Sequence, residues 1–309
     1  MLRTHAGELY ALATAIFWTI TALTFESASR RVGELAVNLL RLTFGFILLS
    51  VFSWLVRGLV LPVDAPGRAW FWLLLSGLVG FVFGDHMLLK AFTIIGSRIA
   101  MLVSALVPPL TALLGWLTLG EHLTMLDMLG MAVTLAGIAL VILERKVPAS
   151  AANAASPATR QKIGLSYSLA GLLYALGGAV GQAIGLILSK IGMGSYNAFA
   201  ATQIRIIAGV LGFMVLFSLL RRWGRIGNAL KNRPAMTLLL VGSVFGPFLG
   251  VSFSLLAIQN TSAGVASTIM ALVPVLIIFP SVFIYKERVS LKEAVGAVIA
   301  VSGVALLFV

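Results

Sequence analysis

The chain has 309 residues, 60% of them apolar and 10% charged, with no cysteine and a formal net charge of +12; its mean hydropathy of +1.06 lies far outside the range of a water-soluble domain. Without cysteine, disulfides, thiolate metal sites and cysteine nucleophiles are excluded together. Three histidines (His5, His86, His122) and no phosphate-binding GxxxxGK[ST] loop argue against a zinc enzyme and an ATPase, so no metal, no cofactor and no catalytic residue is expected.

At about 20 apolar residues per crossing of a ~30 Å hydrocarbon core, the sequence predicts ten spans: 7–27, 35–56, 69–92, 96–118, 124–143, 163–189, 196–220, 235–257, 262–284 and 291–309. The first apolar run is followed by Glu26, Arg30 and Arg31 and shows no clear small-residue cleavage site, so it reads as a transmembrane helix and not as a removed signal. Glu144–Lys162, rich in Ala, Ser and Pro, is the one substantial linker. It separates residues 1–143 from 163–309, five predicted spans each.

The halves resemble one another. Ala105-Leu106-Val107-Pro108 returns as Ala271-Leu272-Val273-Pro274, an offset of 166 that also carries Gly80, Gly84, Glu121, Gly130 and Gly137 onto Gly246, Gly250, Glu287, Gly296 and Gly303. An offset of 164 carries Arg41 onto Arg205. Because five is odd, the second copy must cross the membrane in the opposite sense, which predicts an all-α membrane protein of ten transmembrane helices arranged as two inverted five-helix repeats. That plan recurs in secondary transporters, with the ligand near the midplane where the repeats meet.

Basic residues set the expected orientation. Four lie on the face bearing the N-terminus (Arg3, Arg57, Arg68, Lys190) and sixteen on the other, Lys90 and Arg98 included. The positive-inside rule then places the linker in the cytoplasm and both termini outside a plasma (bacterial inner) membrane. The excess charge reads as membrane orientation and not as nucleic-acid affinity.

Polar groups present in only one half are candidates for function. Asp85, His86 and Lys90 stand opposite Val251, Ser252 and Leu256. An ionised Asp at the bilayer centre costs ~2.5–3.5 kcal/mol on an insertion scale, so Asp85 should face a cavity or a partner, or be protonated. Asp85 and His86 together read either as a proton relay or as a buried pair satisfied by Ser or Thr nearby. Lys90 reads as a snorkelling anchor. Arg41 and Arg205 are either symmetric scaffold, bonded to helix-end carbonyls, or a binding site for an anionic group.

Trp18, with Thr19 and Thr21, and Tyr174 with Gln182 occupy comparable places in the two halves, either as an aromatic wall of a cavity or as packed side chains. Gly177, Gly181 and Gly185, spaced by four, predict close helix approach or a cavity border. Pro108 and Pro274 predict kinks that either act as hinges or fix the packing. Glu121 and Glu287 read as structural, capping the following helices or pairing with basic residues.

The stretch "GDHMLLKAFTIIGSRIAMLVSALVPPLTALLGWLTLGEHLT" (84–124) and its echo "VASTIMALVPVLIIFPSVFIYKERVS" (265–290) resemble the EamA-type members of the drug/metabolite transporter superfamily, over essentially the whole length. The resemblance implies a ten-helix bundle, alternating access through a central cavity, and a small-molecule substrate, with the lipid bilayer as the other partner and protons as a candidate coupling ion. Relatives are generally drawn with both termini in the cytoplasm, which departs from the charge count. A channel or facilitative pore, or a structural membrane subunit without transport activity, is the alternative, and a homo-oligomer is left open by the sequence; no ring of carboxylates or filter-like sequence appears in the spans.

Overall fold

The computed structural model describes residues 5–144, 168–283 and 289–308, and no strand occurs among them. The helices are α1 (Ala6–Val32), α2 (Glu34–Arg57), α3 (Gly67–Gly77), α4 (Asp85–Ser104), α5 (Val107–Leu119) and α6 (Met125–Glu144), then α7 (Leu169–Met193), α8 (Ala198–Leu220), α9 (Gly224–Lys231), α10 (Arg233–Ser243), α11 (Val251–Asn260), α12 (Ala263–Met270), α13 (Val273–Leu276), α14 (Ile278–Phe283) and α15 (Leu291–Leu306). Two π-helical segments, Leu78–Gly84 and Val244–Gly250, join α3 to α4 and α10 to α11. The predicted linker and Glu287 lie outside the described residues.

Among the described residues eight helical stretches are long and apolar enough to cross a membrane, and Val107–Leu119 is a shorter apolar helix. This is fewer than the ten spans predicted, and the difference has local causes. The predicted break between residues 92 and 96 is absent: α4 runs unbroken from Asp85 to Ser104. Its counterpart does break, at Thr261, because Ser262 accepts a hydrogen bond from Val265 N and starts α12. The first half has Ile95 and Gly96 at the matching positions and offers no such side-chain acceptor. The final predicted span, 291–309, is helical over the 16 residues of α15.

Both prolines act where helices start. Pro108 lies in the first turn of α5 and Pro274 in the first turn of α13. A proline lacks the N–H that would bond the carbonyl four residues back, and its ring clashes there. Those carbonyls belong to Ser104 and Met270, the last residues of α4 and α12. Each helix is therefore interrupted rather than bent, at matching positions in the two halves.

Close helix crossings rest on glycines. Along α7, Gly171, Gly178, Gly181, Gly185 and Gly192 face Ile95, Leu88, Gly84, Gly80 and Trp72 in turn, so α7 runs antiparallel to the α3–α4 stretch. Gly130 of α6 meets Gly303 of α15, and Gly137 meets Gly296. The 166 offset maps the first of those pairs onto the second. The π-helical segments obey the same offset, as do two capping boxes, Thr124 with Asp127 and Ser290 with Glu293. The helix after Glu121 is thus capped by Thr124 and Asp127, and not by Glu121 as one sequence reading had it.

Candidate functional site

The site begins with a break in helical phase. Each π-helical turn holds one residue more than an α turn and rotates the helix beyond it. The segment Leu78–Gly84 ends one residue before Asp85, and Val244–Gly250 one residue before Val251. The backbone device is shared by both halves; the carboxylate it aims exists in one. The sequence signal was the glycine pair Gly80/Gly84 and its echo Gly246/Gly250, which composition alone does not distinguish from a packing motif.

Three predicted residues from three helices meet there. Arg41 of α2 donates from Nη2 to Asp85 Oδ2 in a close ion pair. Gln182 of α7 donates from Nε2 to Asp85 Oδ1 at 2.6 Å. Gln182 reaches because Gly181 lets α7 lie against Gly84: a Cβ on Gly181 would sit 2.8 Å from the Gly84 Cα. Arg205 of α8 stands behind, its Nη2 3.5 Å from where a Gly80 Cβ would lie, with its charge acting on Asp85 over a longer range. Arg205 is 6% exposed. Both guanidinium groups rest on aromatic rings, Arg41 on Phe25 at 5.6 Å and Arg205 on Phe81 at 4.9 Å.

Asp85 and Arg41 form part of the wall of a cavity of about 180 Å³, lined also by Phe25, Ser29, Glu34, Val37, Asn38 and Leu88. Glu34, Asn38 and Arg41 follow one another on one face of α2 at helical spacing. Glu34 and Asn38 were not singled out from sequence, although three polar groups at that spacing in an apolar helix were the available signal. The cavity lies toward the end of α1 that leads into Gly33, whose φ of 85° makes the single-residue turn to α2.

The opposite end of α1 is closed by polar contacts. Glu8 Oε1 accepts from the Thr261 hydroxyl at 2.7 Å. Lys190 pairs with Glu121 and donates to the Thr261 carbonyl at 2.6 Å. Glu121 Oε2 accepts from Ala263 N at 2.9 Å, the start of α12. Beside this layer Tyr196 donates to Asp64 at 2.9 Å, and Arg57 pairs with the same carboxylate. Tyr196 lies in the connection between α7 and α8, and burial raises its phenol above the ordinary range.

The remaining predicted residues lie elsewhere. His86 is half-buried and is not a partner of Asp85. Trp18 packs against Gly250, the counterpart of the Gln182 contact with Gly84. Thr19 and Thr21 donate to carbonyls of their own helix, at 2.8 and 2.9 Å, and neither lines the cavity beside Asp85. Tyr174 packs on the small cluster of Ala91, Ala100 and Ala175. Gly181 and Gly185 form the close crossing, whereas Gly177 leaves ordinary contact with the flexible Met87 side chain at 3.5 Å. Lys90 is exposed.

Comparison with known proteins bears on the role of such a site. Residues 5–143 and 169–309 each match the model of the EamA-like transporter family. An uncharacterized transporter of Clostridium kluyveri is 22% identical over 298 residues, covering 96% of this chain and 91% of the relative. A probable transport protein of Saccharomyces cerevisiae is 30% identical over 122 residues, which is 38% of this chain and 33% of the relative. One crystal structure superposes with a TM-score of 0.74 at 19% identity, covering 99% of this chain and 96% of that one, which speaks to the fold alone. With both halves matched to one family model and apolar helices throughout, the chain is an integral, multi-pass membrane protein that belongs to the EamA-like transporter family of the drug/metabolite transporter superfamily.

Proposed function

We propose that the protein is a secondary transporter that carries a small organic compound across the plasma (bacterial inner) membrane by alternating access. In this reading its ten spans are two inverted five-helix repeats, 1–143 and 163–309, joined by a cytoplasmic linker at 144–162. One observation carries the proposal: a polar cavity at one end of α1, with Arg41 and Asp85 in its wall and Gln182 bonded to that Asp85, opposes a polar layer of Glu8, Glu121, Lys190 and Thr261 at the other end. A cavity open on one side and sealed on the other is what a carrier presents in one half of its cycle. The interrupted helices ahead of Pro108 and Pro274 are the points at which the halves exchange roles. Asp85, with His86 next to it, is the group through which a proton couples to the substrate.

Counterflow in proteoliposomes tests the reading. Vesicles preloaded with unlabelled compound should transiently accumulate the labelled form, and Asp85→Asn should abolish pH-dependent uptake while the protein stays folded. Equilibration without exchange would identify a channel instead, and unchanged proton coupling in the variant would remove Asp85 from the coupling step.

A further inference from the structure

The charges at the site do not balance. Arg41 and Arg205 bring two permanent positive charges, since a guanidinium does not titrate in the working range, and Asp85 brings one negative. Arg41 and Gln182 each bond an Asp85 oxygen. Both arginine Nε atoms are buried without a hydrogen-bond partner, and Arg205, 6% exposed, is held by the Phe81 ring and by the field of Asp85. Glu34 is the other carboxylate facing the cavity. It precedes Arg41 by seven residues, roughly 10 Å along a helix rising ~1.5 Å per residue, and among the described residues the ion pair of Arg41 is with Asp85 and not with Glu34.

A buried cation short of a partner is costly in a low-dielectric setting. A protein that keeps one beside a cavity gains from whatever supplies the missing negative charge. The flat faces of both guanidinium groups are covered by Phe25 and Phe81, which leaves their N–H edges as the recognition elements. Those edges match a planar carboxylate. The excess is one charge, which one carboxylate neutralises.

The geometry points to a substrate that carries a carboxylate, bound through Arg41 in the cavity wall, with Arg205 behind it supplying the second positive charge and Asp85 acting as the internal anion that the substrate displaces. This assignment rests on the transporter reading above and names the substrate class for that same cavity. It also gives the duplicated arginine a purpose: each half contributes one, and only the first half contributes the competing carboxylate.

The test uses three probes of one shape and different charge: benzoate, its neutral amide benzamide, and the cation benzamidine. They are titrated calorimetrically into the purified full chain in a non-ionic detergent. Benzoate should bind and the other two should not. In Asp85→Asn the competing charge is gone, so benzoate should bind about a hundredfold tighter, from two charges about 6 Å apart at an effective dielectric near 20; Arg41→Gln should abolish binding. Benzamidine or benzamide binding as well as benzoate, or none of the three binding, overturns the proposal. If the variants fail to fold, the wild-type series decides alone. Counterflow separates the two readings: benzoate that binds but is never exchanged refutes transport and leaves the anion site standing, whereas exchange of benzamidine in preference to benzoate supports transport and refutes the anion site.

Discussion

Gly181→Ala and Gly177→Ala are the same substitution, one turn apart on α7, and the structure assigns them opposite signs. An alanine in a helix interior is favoured over glycine by about 0.8–1 kcal/mol, and that gain applies at both positions. At Gly177 the new methyl meets the Met87 sulfur at 3.5 Å, an ordinary contact with a flexible side chain, so the gain survives. At Gly181 the methyl sits 2.8 Å from the Gly84 Cα, about 0.7 Å inside the ~3.5 Å minimum for a favourable carbon–carbon contact. Backbone cannot step aside as methionine can, so α7 and the π-helical segment must separate. Overpacking of that kind costs about 1–3 kcal/mol, which outweighs the helical gain and leaves the two variants about 1–3 kcal/mol apart. The separation also withdraws Gln182 from Asp85, because residue 182 is carried by the same crossing. Unfolding in mixed micelles should therefore rank Gly177→Ala at or above the parent and Gly181→Ala below it, with transport impaired only in the latter. Equal stability of the two variants would refute the account of the crossing.

Four further outcomes are expected. A double-mutant cycle on Asp85→Asn and Arg41→Gln should return a coupling of about 1–3 kcal/mol, below the full value for a sealed pair because the side chains keep 15% and 20% of their exposure; additive effects would show the pair to be energetically idle. Because the chain has no cysteine, single cysteines report access without background: Asn38→Cys in the cavity wall should react with a polar thiol reagent, while the fully buried Ala11→Cys beside Glu8 should react only when Lys190→Gln is added. Ser290→Ala should destabilise the protein by about 0.5–2 kcal/mol by removing the reciprocal cap with Glu293, read as a lowered unfolding midpoint. Burial raises the folded-state pKa of Tyr196 above its unfolded value near 10, so the native state holds that proton longer; the associated stability is present below pH 10 and is lost as pH rises through the folded pKa. Tyr196→Phe should flatten that alkaline loss in a pH series of unfolding midpoints.

Much of this protein was legible in its sequence for one physical reason: a bilayer admits few backbone solutions. Twenty apolar residues in a row mean a helix, and a repeat leaves its offset in the glycines and prolines that backbone contact and missing N–H groups demand. Gly130 against Gly303 and Gly137 against Gly296 are such contacts. The offset of 166 read from the chain is the offset that relates the two π-helical segments and the two capping boxes. Asp85, Arg41, Arg205 and Gln182 were each recognisable as polar groups out of place in an oily run.

Tertiary structure decided what those groups do together. Arg41 and Asp85 are 44 residues apart, and Asp85 and Gln182 are 97 apart, separations at which no local periodicity carries information. Sequence left Asp85 with His86 open between a proton relay and a buried pair, and Trp18 with Thr19 and Thr21 open between a cavity wall and packing; the fold gives Asp85 a different partner on each oxygen and returns both threonine hydroxyls to their own helix. The break predicted between residues 92 and 96 was misplaced for a related reason. Whether a helix ends at residue 93 or at residue 105 depends on whether a side chain competes for the freed N–H groups, and apolar run length does not record that competition. A chain fixes its own crossings of the membrane through local chemistry, while the meeting of charges from separate helices is fixed by how closely glycines let those helices approach.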